Sequence, residues 1–367
     1  MLPHHTITEL PRLVESLPDE SRERFQRIFR LSSTTGYLTA PRVMHPWIKS
    51  YFGSLDAVTE QHIVKTTNIV TWEGALFNDL RARRPMEARD HDNIRHAIQN
   101  NGTGPFAKPL EGTPEDTFGR VRGRHSITAS NIAKYDGFHG LVIFDEHNPL
   151  HLEPAAVSDY FDTALAWASE AHETDPSARY FLFMWNCLWK SGASITHGHA
   201  QMTLTRDMHY AKVEALRRAA LTYRQEYGTS YFDDLYATHR DLGLTFSDGT
   251  VRGLAYLTPI KEKEVLLMAD ELNAALKERI YRALCHFTQE LNVLSFNLVL
   301  YMPPLGPPDH EDWSDFPVMI RIVDRGDLGN NVADFGGMEL YGQSVIGTDP
   351  FFVAHCLRQD GIKPATP

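Results

Sequence analysis

The feature that most constrains this chain is a repeated order of elements. "GLVIF" (Gly140–Phe144), an amphipathic helical segment, "YFLFMW" (Tyr180–Trp185) and "HGHAQMTL" (His197–Leu204) follow one another in the first half. "EVLLM" (Glu264–Met268), a second helical segment, "FNLVLYM" (Phe296–Met302) and "VMIRIV" (Val318–Val323) repeat that order in the second. The residues are not alike, but strand, helix, strand, strand recurs, which predicts two related α+β units. The division expected is an N-terminal extension over 1–60, a first unit over 61–227 and a degenerate second unit over 228–367. A histidine pair stands in one unit and not in the other, so any chemistry is lopsided.

Local signals fill in the frame. In the extension "DESRERFQRIF" reads as a short helix and "STTGYLTAPRVMHP" as irregular chain. "HIVKTTNIVTW" alternates as a strand, and "SITASNIAKYDGFHGLVIF" holds two strands around an Asp136-Gly137 turn. A helix starts at Glu153 with Pro154 in its first turn. Another follows Asp207 and stops at Gly228. "GLTFSDGTVRGLAYL" reads as a hairpin turning at Asp248-Gly249. Asp270 is expected to cap a helix whose apolar positions Leu272, Leu276, Ile280, Leu284, Phe287 and Leu291 fall at helical spacing.

Bulk properties exclude several classes. Net charge is -11, which argues against nucleic acid or an anionic membrane as partner. The longest apolar runs are far too short to cross a bilayer, and no basic-then-apolar leader opens the chain. Cys187, Cys285 and Cys356 are odd in number and widely spaced, which fits a reducing, cytoplasmic setting.

The chemistry lies in "NCLWKSGASITHGHAQMTL" (Asn186–Leu204). Alternation on a strand puts His197, His199 and Gln201 on one face. A neutral imidazole can attack phosphorus if its other ring nitrogen is held by an acceptor. Gln201 and main-chain N–H groups around "KSGAS" can supply donors to phosphate oxygens. Ser191, Gly192 and Ser194 let a phosphate approach the backbone closely. On the pattern alone two plain histidines on a half-exposed strand are the commoner reading, and a shared zinc ion is a second competitor.

The stretch resembles the active-site segment of the galactose-1-phosphate uridylyltransferase family of the histidine-triad superfamily. That family carries an asparagine, a Gly-x-Ser and H-x-H-x-Q at fixed offsets; Asn186, Gly192, Ser194, His197, His199 and Gln201 match them without a gap. The resemblance implies tandem histidine-triad-like units with antiparallel sheets flanked by helices. It implies His199 as the nucleophile that becomes nucleotidylated and Gln201 as the residue that positions the phosphate. Asn186 and Ser194 are implied as contacts to the phosphate or its neighbours. "RARRP" resembles the family's phosphate-reaching arginine pair, hence Arg81 and Arg84. "SITASNIAKYDG" resembles its nucleotide-touching strand, hence Asn131. "FDEHNPLHL" resembles a segment with a metal-binding histidine, hence His147, and "GGMELYG" keeps a sugar-binding glutamate, Glu339. A homodimer is implied as well.

The departures shape the expectation. Where the family has a zinc-binding C-x-x-C pair, this chain reads "GPFAKP", with Gly104 and Ala107 in place of the thiolates. The structural zinc is therefore expected to be lost, no cofactor is required, and His197 becomes free to brace the nucleophile strand. Met319 and Arg321 replace metal histidines in the second unit. Residues that grip galactose are replaced around Ala333, Asp334, Gly336, Met338 and Val345, and Ala129 and Ile132 depart at the base-contacting strand. Arg120, Arg122 and Arg124 alternate and suggest one strand face; a surface stripe is the commoner reading and a second phosphate contact the sharper one. The expected activity is a nucleotidylyltransferase with a covalent histidine intermediate. It moves a nucleoside monophosphate from a nucleotide or nucleotide-sugar donor to a phosphorylated, sugar-like acceptor. A phosphorylase splitting a nucleotide sugar or dinucleoside polyphosphate is the alternative, and a non-catalytic nucleotide-binding protein the third reading. Gln201 favours transfer over hydrolysis, because the superfamily's hydrolases resemble each other in using histidine there.

Overall fold

The structure is a computed structural model that describes residues 5–78, 80, 98, 104–247, 249–306, 311–330 and 335–358. Nine strands form one continuous antiparallel sheet: β4 (Ser126–Ser130), β5 (Phe138–Phe144), β6 (Ala178–Cys187), β7 (His199–Arg206), β8 (Thr245–Ser247), β9 (Arg252–Ala255), β10 (Val265–Ala269), β11 (Phe296–Tyr301) and β12 (Val318–Asp324). Their spatial order is β4-β5-β7-β6-β11-β12-β10-β9-β8. Read outward from the β6–β11 pair, the two halves have the same connectivity. β5, helix Pro154–Thr174, β6, β7 answers β10, helix Ala274–Gln289, β11, β12. The repeat read in the sequence is thus a near-twofold arrangement within a single sheet.

One face of that sheet is covered by the two helices. Val157, Phe161, Ala164, Trp167, Ala168 and Ala171 recur at helical spacing along Pro154–Thr174 and are buried against Ala200, Met202 and Leu204 of β7. Leu276, Ile280, Leu284 and Phe287 do the same for Ala274–Gln289 against Ile320 and Ile322 of β12. Each Val, Leu, Ile or Phe among them contributes about 1.5–3 kcal/mol when fully buried. Asn273, not Asp270, caps the second helix, accepting from the N–H of Leu276 at 3.0 Å; Asp270 and Glu271 lie in a bend before it. The helix Ala211–Tyr227 ends at Gly228 with φ +73, the left-handed conformation that glycine tolerates. A further helix, Tyr231–Asp241, follows, which the local signals above do not predict.

A second sheet takes the order β1-β2-β3-β13, from β1 (Phe29–Tyr37), β2 (Glu60–Asn68), β3 (Gly74–Phe77) and β13 (Ser344–Ile346). The expected boundary at residue 60 therefore falls inside a hairpin, since Phe29 to Tyr37 pair with Asn68 to Glu60 throughout. "STTGY" is strand rather than irregular chain, because its N–H and C=O groups find their partners in a segment more than twenty residues away. Phe25, Phe29, Val64 and Phe77 from this layer share a core with Leu254, Leu266, Met268 and Met319 of the second unit, and with Val213 and Leu235 of the helices Ala211–Tyr227 and Tyr231–Asp241, on the sheet face opposite Pro154–Thr174 and Ala274–Gln289. The opposite end of that face, over β4, β5 and β7, carries only the small cluster of Phe106, Ile127, Ala129, Leu141 and Ile143. One unit's face is plugged by the N-terminal layer, and the other's carries the histidines.

Candidate active site

On β7 the side chains of His199, Gln201 and Thr203 alternate with Ala200, Met202 and Leu204, which pack under the helix Pro154–Thr174, so they occupy the opposite face of the sheet. The strand begins at His199. His197 lies just before it, so only two of the three expected residues belong to the strand proper. Gly198 between them is hemmed in: a Cβ there would stand 2.6 Å from Phe144 Cδ2 and 2.9 Å from the Glu146 carbonyl. Its own N–H donates to the His147 carbonyl at 2.9 Å, and its carbonyl accepts from Phe144 N–H at 3.0 Å.

His199 is buried, 6% exposed, with Nδ1 2.8 Å from the His197 carbonyl. A carbonyl can only accept, so Nδ1 carries the proton and Nε2 holds the lone pair. Phe106 presents its ring to the imidazole, centroids 5.0 Å apart. Burial lowers the pKa of His199 below the ordinary histidine value, which keeps the ring neutral and nucleophilic near pH 7. His197 donates from Nε2 to the Phe144 carbonyl at 2.8 Å, and burial likewise lowers its pKa. That bond ties the segment before the nucleophile to the end of β5.

Three carboxamides expected at the site share one property. Asn131 Oδ1 accepts from Ala133 N–H at 3.0 Å, Gln201 Oε1 lies 3.1 Å from His139 Nε2, and Asn186 Oδ1 accepts from Asn297 Nδ2 at 2.6 Å. Each oxygen is taken from within the protein, which leaves the NH2 groups as the ends not spent in those bonds. Gly192 adopts φ +99 at the end of the short 3-10 turn Trp189–Ser191, a conformation open to glycine. Ser194, two residues on, is exposed.

Other expected residues fall elsewhere. Glu339 sits in the short helix Gly337–Tyr341, which leads into the four-stranded sheet, and its Oε2 accepts from Gly336 N–H at 3.1 Å. No described bond or ring contact joins it to the histidines. Arg81 and Arg84 lie outside the described residues, as do Ala333 and Asp334. The arginine stripe is not a strand face. Arg120 donates to the Thr113 and Thr128 carbonyls at 2.6 and 2.9 Å, and Arg122 makes a paired contact with Asp145 at 2.9 and 2.7 Å. Both guanidiniums are committed to the fold, so the second phosphate contact expected there is withdrawn for them.

The zinc implied by the resemblance can be tested on the side chains. His147 and His197 present Nδ1 to Nδ1 at 3.3 Å, a contact that bonds only when one of them is protonated. Their other nitrogens lie on the Ile98 and Phe144 carbonyls at 3.0 and 2.8 Å. Gly104 and Ala107 offer no ligand atom. No group of three or more His, Cys, Asp or Glu among the described residues could hold a metal ion. Among the described residues these two imidazoles fall short of a four-coordinate set.

Two functional neighbours escaped the sequence reading: His139 of β5 and Asn297 of β11. The available signal was a polar residue on an otherwise apolar strand, "FHGLVIF" and "FNLVLY". Beside Asn186 and Asn297 a cavity of about 360 Å³ opens over the β6–β11 seam, walled by Leu182, Met184, Val299 and Tyr301.

No family model matches the sequence, and no curated protein matches it. Solved structures do. An ADP-glucose phosphorylase from Arabidopsis thaliana with bound ADP-glucose is 17% identical, with TM-score 0.60 over 80% of this chain and 97% of that one. A galt-like protein from Arabidopsis thaliana is 16% identical, with TM-score 0.59 over 81% and 99%. A uridylyltransferase is 17% identical, with TM-score 0.55 over 80% and 96%. The chain therefore has the α+β fold of these solved structures. Among the described residues no helix is long and apolar enough to cross a membrane.

Proposed function

We propose that the protein is a nucleotidylyltransferase that works by double displacement through His199. The observation that carries this is the 2.8 Å bond from His199 Nδ1 to the His197 carbonyl, which leaves Nε2 as the attacking lone pair. Nε2 attacks the α-phosphorus of a nucleotide donor. An N–P bond forms, the P–O bond to the leaving phosphate ester breaks, and that ester departs with the electron pair. The ring keeps its Nδ1 proton on the carbonyl while Nε2 carries the nucleotide. An acceptor phosphate oxygen then attacks the same phosphorus, and the N–P electrons return to Nε2. Arg81 and Arg84 are assigned to the donor's phosphates by resemblance.

A phosphate acceptor is already anionic and needs no base, whereas water must lose a proton as it attacks. Gln201 cannot take a proton, and burial lowers the pKa of His197, which makes it a weak base. Transfer to phosphate is thus favoured over hydrolysis. The fold shared with an ADP-glucose phosphorylase and a uridylyltransferase supports donors that are nucleotide sugars. The acceptor is then a sugar-type phosphate or inorganic phosphate. The resemblance adds a homodimer, which sedimentation of the purified chain tests directly.

Incubation with a mixture of nucleoside diphosphate sugars, followed by intact-mass analysis, is the decisive experiment. A one-nucleotide adduct on His199, absent in His199→Asn and discharged by phosphate or a sugar phosphate, is expected. No adduct across the panel sinks the proposal.

A further inference from the structure

We propose that His139 and Asn297 are positioning residues, which hold the carboxamides of Gln201 and Asn186 by their oxygens so that both offer N–H groups to the phosphate at His199. The proposal rests on the reading of His199 as the nucleotide acceptor. It follows from hydrogen-bond bookkeeping in which main-chain groups, whose roles are fixed, decide each ambiguous side chain.

Consider His139 first. Its Nδ1 lies 2.9 Å from the backbone nitrogen of Tyr135, and a main-chain N–H can only donate. Nδ1 is therefore a lone pair, and the neutral ring carries its proton on Nε2. Charging the ring would set N–H against N–H in a fully buried position, and burial lowers its pKa accordingly. Gln201, the diagonal neighbour across the β5–β7 pair, then accepts through Oε1 at 3.1 Å. Asn131 Nδ2 also lies 3.2 Å from that Nε2, but its Oδ1 is taken by Ala133 N–H. Two donors face each other there, so that contact is no bond, and Gln201 is the acceptor of the His139 proton. Tyr135 stacks on the His139 ring with centroids 4.4 Å apart, which fixes the ring plane.

The same logic settles the other amide. Asn297 Nδ2 lies 3.0 Å from the Ser191 carbonyl and 2.6 Å from Asn186 Oδ1. The carbonyl only accepts, so the atom of Asn297 is the nitrogen and the atom of Asn186 is the oxygen. Arg325 Nη1 donates to Asn297 Oδ1 and completes the chain. Asn297 and Arg325 belong to the second unit. Without a histidine pair of its own, that unit contributes by orienting an amide of the first.

Preoriented donors lower the reorganisation needed as charge develops on the phosphoryl oxygens. Three measurements test the proposal. Ring ¹⁵N spectroscopy of His139 is expected to give the Nε2–H tautomer, and an Nδ1–H ring overturns it. With the donor identified by the adduct screen, His139→Phe and Gln201→Leu should each slow labelling of His199 by about 10–100-fold, in kcat rather than KM. His139→Gln, which keeps both a donor and an acceptor, should restore most of the rate. The double variant should be no slower than Gln201→Leu, within about twofold, because one residue acts only through the other. Asn297→Leu with Asn186→Leu should behave alike. Multiplied effects in both double variants mean His139 and Asn297 serve folding only, and the proposal fails while the adduct stands. A wild type that takes no label overturns the reading of His199 and the positioning role together, whatever the tautomer.

Discussion

Arg321 Nε stands 2.6 Å from Oε1 of Glu264, and this ion pair lies on the sheet face opposite the helices Pro154–Thr174 and Ala274–Gln289, the face on which the first unit carries His199. Arg321 Nη1 reaches Glu73 of the N-terminal layer at 2.8 Å, and Tyr256 OH donates to Glu73 at 2.8 Å. The place proposed to bear chemistry in one unit is in the other a buried junction between layers. Burial pushes the Glu264 carboxyl pKa up, and the guanidinium beside it opposes that rise.

Removing the cation leaves two carboxylates without their partner. Arg321→Met should cost about 3–5 kcal/mol in urea unfolding, the usual penalty for breaking a buried pair from one side. Adding Glu264→Gln to Arg321→Met should recover part of the loss. A cost below about 1 kcal/mol, the range of exposed pairs, means the junction is not buried in solution.

Gly198 tests how tightly the two histidines are placed. Phe144, which an added Cβ would strike, is stacked on Tyr160 at 3.6 Å and meets Trp185 edge-on at 5.0 Å, so it cannot retreat. Gly198→Ala should cost about 1–3 kcal/mol. It should also slow adduct formation on the order of 100-fold, the effect of misplacing a reacting group by about 1 Å. Labelling at the wild-type rate would falsify the close packing described here.

His239 predicts how the fold responds to acid. Its Nδ1 lies 2.8 Å from the Leu235 carbonyl and its Nε2 accepts from Leu257 N–H at 3.2 Å. Both nitrogens are used by a neutral ring, and burial lowers its pKa to about 4. The unfolded chain binds that proton near pH 6.5, so the unfolded state holds more protons over the interval and stability falls as pH falls. The contribution is complete above about pH 6.5 and declines by roughly 1.4 kcal/mol per pH unit down to about pH 4. Unfolding curves at stepped pH should show this slope, and NMR titration should find His239 still neutral at pH 5.5. A ring that titrates near 6.5 contradicts the burial.

Metal content is a further check. Protein purified without chelators should carry less than about 0.1 zinc per chain, and chelation should leave Tm unchanged, because two imidazoles alone bind the ion weakly. One zinc per chain would mean that residues outside those described complete the set.

Much of the fold could be read from local pattern. Helices such as Pro154–Thr174 and strands such as β5, β6 and β11 declare themselves by period, since their apolar spacing is what buries them. β1 could not be read, because "LSSTTGY" has little apolar alternation and is a strand only through its pairing with β2. At the site, the strand face of His199 and Gln201 follows from alternation alone. His139 and Asn297 do not, because each meets its amide across a strand pair.

The sequence by itself determined which residues are chemically able: a nucleophilic imidazole, three amides, and a second unit without histidines. Only the tertiary structure decided which atoms are free to act. Donor and acceptor roles are set by partners distant along the chain, such as the Tyr135 N–H beside His139 and the Ser191 carbonyl beside Asn297. Protonation and amide orientation are properties of a neighbourhood, and folding is what creates that neighbourhood.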